Sequence, residues 1–412
     1  MLTVQRRDLA QRGPTLRAAG RAQHRVARAR NPVLAAVLLV ALAAPAAAEP
    51  DISAPGALLW EPASDAVLFD LEAGAPRPMA STTKIMTALL VLEEADLDDD
   101  VTVSANAAQV GASPGAATLA LQPGQIVPMR TLLTAIMTES ANDAAVAIAE
   151  HLAESEAAFA ERMNERAEEL GLSATRFVNA SGLTNDPEHV ASPADLAELA
   201  RVAMQDPDFA ELAGAAFLID EVAGPLDNRN ELLSSYEGAT GVKTGFTELA
   251  GRTLVASATR GDRTLYAVVL GAENSFADAA ALLDYGFDDF VLLSLPTDAE
   301  VATYRWADTD APVTLTRGVS ETLPVDAGVA ASLRLRPALA PPVAAGTPAG
   351  ELVVLLDGEE FDRLEVQIAR DVAPPTPGPP SEQIGAAIAD GLRALARTEP
   401  IPVDPRAVEA SD

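Results

Sequence analysis

Residues 82–95, TTKIMTALLVLEEA, are apolar on nearly every side and contain neither glycine nor proline. A helix of that kind has no face to give to water, so it belongs inside a shell of other elements. The rest of the fold must be built around it. Yet the stretch carries Lys84, three residues after Ser81. The chain uses 27 arginines and only two lysines, Lys84 and Lys243. Arginine stays protonated in proteins, whereas a buried lysine amine can lose its proton. A lysine kept in an apolar helix points to a task that needs a titratable amine.

The flanking pattern predicts what forms the shell. ALLW, a turn at EPASD, and AVLFDL read as a hairpin near the start. Helical segments dominate from about Leu132 to Met204, broken by NASGLTNDPEH. A strand pattern returns at GATGVKTGFT. RTLVASAT and RTLYAVVLG form a second hairpin about Arg260-Gly261-Asp262, and a closing helix follows over 277–290. Strands at both ends with helices between predict an α+β domain, an antiparallel sheet packed with helices, over residues 49–293. Short β-like runs alternating with Pro and Gly predict a small all-β domain over 294–372. Residues 373–381 read as a stiff Pro-rich linker. Residues 382–412 hold a helical stripe of Ile384, Ile388, Leu392 and Leu395, followed by a tail.

Residues 1–48 read as an address. Eight arginines and one acid, Asp8, precede the apolar run Pro32 to Ala44 and an Ala-x-Ala cleavage pattern. That run is shorter than the roughly 20 residues of a membrane-spanning helix. A signal peptide, and export from the cytoplasm, are expected. Without it, 21 basic and 59 acidic residues remain, a net charge near −38. A nucleic-acid partner is excluded, because the basic footprint is missing. An anionic ligand would need local positive charge. The chain has no cysteine, which excludes disulfides, thiolate metal sites and a cysteine nucleophile. Its three histidines, His24, His151 and His189, share no short ligand spacing, and the latter two read as structural.

Three motifs fall in order: Ser81-Thr-Thr-Lys84, Ser140-Ala-Asn142 and Lys243-Thr-Gly245. Each alone is weak, but both lysines of the chain fall in one. On a helix, residues three apart share a face, so Lys84 can reach the Ser81 oxygen. The first helical turn, where Ser81 is expected, has free N–H groups that favour developing negative charge. A serine hydroxyl needs an adjacent base to become a nucleophile. Ser140 is placed to relay a proton, and Asn142 to bond a substrate amide and Lys84. Glycines in GATGVKTGFT let another backbone approach, so an extended peptide can add beside that strand. Lys243 would bind a ligand carboxylate with Thr244, and the N–H groups of Ser81 and Phe246 would form an oxyanion hole. Inert alternatives stay open: helix caps at Ser81 and Ser140, a surface lysine at 84, an edge-strand lysine at 243, and a first-turn acid at Asp143.

On these motifs and on blocks such as RPMASTTKIMTALLVLE, TLLTAIMTESANDAAVAIAEHL and GVKTGFTELAGRTLVASATRG, the chain resembles D-alanyl-D-alanine carboxypeptidases, low-molecular-mass penicillin-binding proteins of the DacA type. The resemblance spans roughly Gly56 to Phe290, and 294–372 is similar to that family's β domain. It implies a β-lactamase/transpeptidase-like fold, with Ser81 as the acylated nucleophile and Lys84 as its base. Ser140 and Asn142 then form the second motif, and Lys243, Thr244 and Gly245 the third. It implies removal of the terminal D-Ala from peptidoglycan stem pentapeptides in the periplasm, covalent inhibition by β-lactams, and no cofactor or metal. The family often has an arginine after the VVLG strand; GAENSFADAAALL has none, which shifts carboxylate recognition toward Lys243. Peripheral contact with the inner membrane through 382–397 stays open, since only Arg393 and Arg397 are basic there. Rival readings are a DD-endopeptidase, a β-lactamase, and a penicillin-binding sensor or scaffold without turnover. The deacylating glutamate of class A β-lactamases has no counterpart around Phe177.

Overall fold

The computed structural model describes residues 49–306, 309–336 and 339–373, with the backbone of Val37 and Leu38. Apart from that dipeptide, the proposed signal peptide lies outside the described residues. So do the linker beyond 373 and the 382–412 segment with its apolar stripe.

The first part of the chain is a five-stranded antiparallel sheet with helices on both faces. Its strands are β1 (Gly56–Glu61), β2 (Ala66–Leu71), β3 (Ala239–Thr247), β4 (Gly251–Arg260) and β5 (Arg263–Ala272), in the spatial order β3-β4-β5-β1-β2. The terminal hairpins thus meet in one sheet, as their alternation predicts. Successive strand residues point to opposite faces, and both faces are covered here. Leu254, Ala256 and Val269 pack against Leu282 and Leu283 of a helix over Ser275–Asp289. Val242, Val255, Val268 and Leu270 face the larger core.

That core is centred on helix α1 (Lys84–Glu94), where every residue from Lys84 to Val91 is buried. Around it pack α2 (Ala105–Gly111), α3 (Met129–Met137), α4 (Asn142–Ala153), α5 (Glu156–Glu169), α6 (Pro193–Ala203) and α7 (Pro207–Gly214). Caps fix several helix starts: the Ser104, Ser155 and Ser192 hydroxyls each accept an N–H of the first turn. The all-round apolar stretch is therefore the central helix of the fold, as its pattern requires.

Beyond Asp289 the chain is all β. Five strands, Glu300–Trp306, Thr309–Leu315, Val329–Leu335, Pro348–Leu356 and Glu359–Ile368, form an antiparallel sheet over its own apolar cluster, and Val37–Leu38 adds a short sixth strand on the edge of Val329–Leu335. Phe290–Leu295 and Val319–Pro324 pair separately, next to the junction. There Glu61, fully buried, receives two bonds from Arg263, at 2.8 and 2.9 Å, and one from the Thr322 hydroxyl at 2.6 Å. One carboxylate thus ties the first sheet to the second β unit.

Candidate active site

Ser81 precedes α1 rather than lying in its first turn. It sits in a 3₁₀ turn over Ala80–Thr83, and α1 begins at Lys84. The cause is local. The Thr82 hydroxyl donates to Met79 O at 2.7 Å and the Thr83 hydroxyl to Ala80 O at 2.6 Å. Threonine hydroxyls that bond back three residues compete with helical pairing and tighten the turn. The i,i+3 relation survives: Lys84 Nζ lies 3.0 Å from Ser81 Oγ.

Lys84 is fully buried, and its Nζ has two further neighbours, Asn142 Oδ1 at 2.8 Å and Ser181 O at 2.6 Å. Asn142 Nδ2 donates to Ala117 O, which leaves Oδ1 facing the lysine. Both neighbours are therefore acceptors only. Burial, helped by the nearby charges of Lys243 and Arg229, pushes the Lys84 ammonium well below its ordinary range. A neutral amine has two hydrogens and one lone pair. In that neutral form the hydrogens would go to Asn142 and Ser181, which leaves the lone pair for the Ser81 hydroxyl proton.

Asn142 opens α4. Asp143 beside it is fully buried and accepts from Thr118 Oγ1 and from the N–H groups of Leu119, Leu121 and Ala144. It fastens the loop whose Ala117 carbonyl orients Asn142, more than a first-turn acid does. Ser140 is buried with φ +59, a left-handed conformation rare for a side-chain-bearing residue. Its hydroxyl has no hydrogen-bond partner among the described residues. The contact expected between Ser140 and Lys84 is not made; Asn142 and the Ser181 carbonyl occupy that amine instead.

β3 is an edge strand and runs past Ser81. A Cβ at Gly245 would come within 2.9 Å of Ser81 N and 3.1 Å of the Ala80 side chain, so only glycine allows the strand this close. Thr253, opposite Gly245 on β4, donates to Met79 O at 3.0 Å and pins the turn to the sheet. Lys243 lies on the face of β3 that Gly245 shares, is 1% exposed, and among the described residues reaches only Thr244 O, at 3.3 Å. Burial first, then Arg229, lowers its ammonium to about 7. Thr244 is half-buried and Phe246 exposed, with the Arg252 guanidinium over its ring.

The three motifs thus converge: Ser81, Lys84 and Asn142 by direct contact, Gly245 by backbone approach, and Lys243 by its effect on Lys84. Residues that sequence reasoning missed act mainly through backbone atoms. Ser181 offers its carbonyl, and Gly182 (φ +77) lies so close to Ala80 O that no Cβ fits there. The one legible signal was the Ser-Gly break in a helical region.

A half-buried serine beside a fully buried lysine, at the edge of an antiparallel sheet with backbone N–H groups close by, is equipment for acyl transfer through a covalent serine ester. The profile of peptidase S11, D-alanyl-D-alanine carboxypeptidase, matches residues 43–274. The chain belongs to this family. It is 31% identical over 341 residues to the D-alanyl-D-alanine carboxypeptidase DacF of Bacillus subtilis, covering 77% of this chain and 86% of that one. It is 32% identical over 343 residues to DacC of Escherichia coli, covering 78% and 85%. Among solved structures, penicillin binding protein 5 from Haemophilus influenzae superposes with a TM-score of 0.62 at 28% identity, over 79% of this chain and 99% of that one.

Proposed function

We propose that this chain is a serine-type D-Ala-D-Ala carboxypeptidase that trims peptidoglycan stem pentapeptides. The observation that carries the reading is the fully buried Lys84 amine 3.0 Å from the Ser81 hydroxyl, its ammonium form disfavoured by burial. In the reaction, Lys84 takes the Ser81 proton while Oγ attacks the carbonyl carbon of the penultimate D-Ala. The tetrahedral oxyanion is held by the N–H groups of Ser81 and Phe246. The C–N bond breaks, and the proton passes to the leaving amine of the last D-Ala. The open hydroxyl of Ser140 is suited to carry that proton. Water, deprotonated by Lys84, then cleaves the ester, and Lys84 returns that proton to Ser81 Oγ.

The substrate peptide lies along the free edge of β3, with Asn142 bonding a substrate amide and Lys243 and Thr244 holding the terminal carboxylate. β-Lactams acylate the same oxygen. Export through residues 1–48 delivers a chain of two units, 49–293 and 294–372, to the periplasm. Residues 382–397, with an apolar stripe and two arginines balanced by Glu382 and Asp390, offer a weak contact for the inner membrane surface.

The test is D-Ala release from a diacetyl-Lys-D-Ala-D-Ala peptide by wild type, Ser81→Ala and Lys84→Arg. Both variants are expected to be inactive, and Ser81→Ala also refuses a fluorescent penicillin. Lys84→Arg puts a permanently protonated group where the proposed base must be neutral, and so removes the ability to take the Ser81 proton. Near-wild-type turnover by that variant would refute the assignment of the base.

A further inference from the structure

His189 is a buried titratable group for which the reaction above has no use. It is 2% exposed, and both ring nitrogens are engaged. Nδ1 lies 3.0 Å from Val178 N, and Nε2 lies 2.6 Å from Thr83 Oγ1. A backbone N–H can only donate, so Nδ1 is the bare nitrogen and the ring proton of the neutral form sits on Nε2. Burial keeps the ring neutral, with its ionisation lowered to about 4. Nε2–H therefore donates to the Thr83 hydroxyl, and the hydroxyl proton goes on to Ala80 O at 2.6 Å. The chain has one direction, His189 to Thr83 to Ala80.

Its end point is unusual. Ala80 has φ +50, a left-handed conformation that a residue with a side chain adopts only when its surroundings impose it. Its carbonyl is held on one side by Thr83 and crowded on the other by Gly182. The peptide bond from Ala80 to Ser81 is planar, so its C=O and N–H point in opposite directions along fixed lines. Whatever fixes the Ala80 carbonyl also aims the Ser81 N–H.

We infer that His189 is a positioning residue: through the Thr83 hydroxyl it locks the Ala80–Ser81 peptide plane and aims the Ser81 N–H at the oxyanion. This rests on the reading of Ser81 as nucleophile and oxyanion donor. A misaimed donor loses its bond to the transition state, while the bound ground-state peptide, held along β3 and at Lys243, is little affected. The signature is therefore a fall in kcat and in the acylation rate, with KM retained.

Two variants cut the chain at different links. Thr83→Val keeps the side-chain shape and removes the hydroxyl. His189→Asn keeps an acceptor near Val178 N and withdraws the donor to Thr83. Each is expected to lower kcat and penicillin acylation by roughly 10- to 100-fold, below the 10²–10³ of losing an oxyanion donor outright. KM should stay within about 3-fold. Thr83→Ser restores the hydroxyl and recovers most of the rate. Melting temperatures are read in parallel, and if one variant does not fold the decision passes to the other. Wild-type acylation in a folded Thr83→Val or His189→Asn protein overturns the inference, as does equal loss in Thr83→Ser and Thr83→Val. A rise in KM at constant kcat also overturns it. Ser81→Ala separates the two levels: if it still releases D-Ala, the proposed function fails. If it is dead while Thr83→Val is normal, only the role of His189 fails.

Discussion

The two lysines are held in opposite relations to their charge. As the proposed base Lys84 works in its neutral form, and burial lowers its ammonium well below the ordinary range. As the proposed carboxylate anchor Lys243 works in its charged form, yet burial and Arg229 bring its ammonium down to about 7. The pH profile of kcat/KM, which reports the free enzyme, is therefore expected to be a bell. Its acid limb follows protonation of Lys84, and its alkaline limb begins near pH 7 as Lys243 loses charge. A profile flat to pH 9 would show that Lys243 does not supply the charge. The same burial has a thermodynamic sign. The folded state binds fewer protons than the unfolded state between about pH 7 and the ordinary lysine range. Stability must therefore rise with pH across that window, and the cost of Lys243 is largest below it. Lys243→Met is expected to raise Tm at pH 6.5, on the order of 5 °C, while impairing catalysis. A lower Tm there would mean the lysine is better satisfied than its single 3.3 Å contact indicates. The feature legible in the sequence was the choice of lysine over arginine at 84 and 243. The acceptor pair that leaves the Lys84 lone pair free was hidden, because Ser181 contributes a backbone atom.

Among the elements, the loop before α3 and the start of α4 show how a site is held by residues that do no chemistry. Asp143 collects one hydroxyl and three N–H donors, and the loop it fastens presents Ala117 O to both the backbone and the side chain of Asn142. Asp143→Ala leaves buried donors unmatched and should cost about 3–5 kcal/mol of stability. It should also lower kcat at least about 10-fold, because Asn142 then ceases to orient Lys84. Denaturant unfolding and D-Ala release on the same preparation check both; full activity in a destabilised protein would reduce Asp143 to a structural clamp. This clamp was not legible, since an acid in the first turn of a helix is ordinary and all its partners but the adjacent Ala144 lie 22–25 residues away. The strands of the sheet were legible because alternation is local: Leu254 and Val255 go to different cores, as the pleat requires. The start of α1 was misjudged by three residues. Helical periodicity does not register two threonine hydroxyls that turn back on Met79 and Ala80. Gly245 was readable as a point of close approach, but which backbone approaches it is decided only by tertiary packing.

At the scale of the whole molecule, the chain has a formal net charge of −31, and the proposed substrate is also an anion. The summed field therefore opposes encounter, whereas the attraction of Lys243 acts at a few ångströms inside a buried site. Salt acts differently on the two. The screening length falls from about 30 Å at 0.01 M to about 8 Å at 0.15 M, which removes the long-range repulsion and leaves short contacts nearly intact. kcat/KM is thus expected to rise with ionic strength between these limits, by roughly 2- to 10-fold, and chiefly through KM. Folding should respond in the same sense, because the acidic surface repels itself and added salt relieves that strain. Measuring kcat/KM and Tm across one NaCl series separates the two effects. A neutral amide analogue of the peptide, lacking the terminal carboxylate, supplies the control: its kcat/KM should be much less sensitive to salt. If the anionic peptide instead weakens as salt is added, its capture is governed by exposed positive charge. Arg229 and Arg252 would then be the groups to test, and a buried Lys243 would no longer suffice as the carboxylate site.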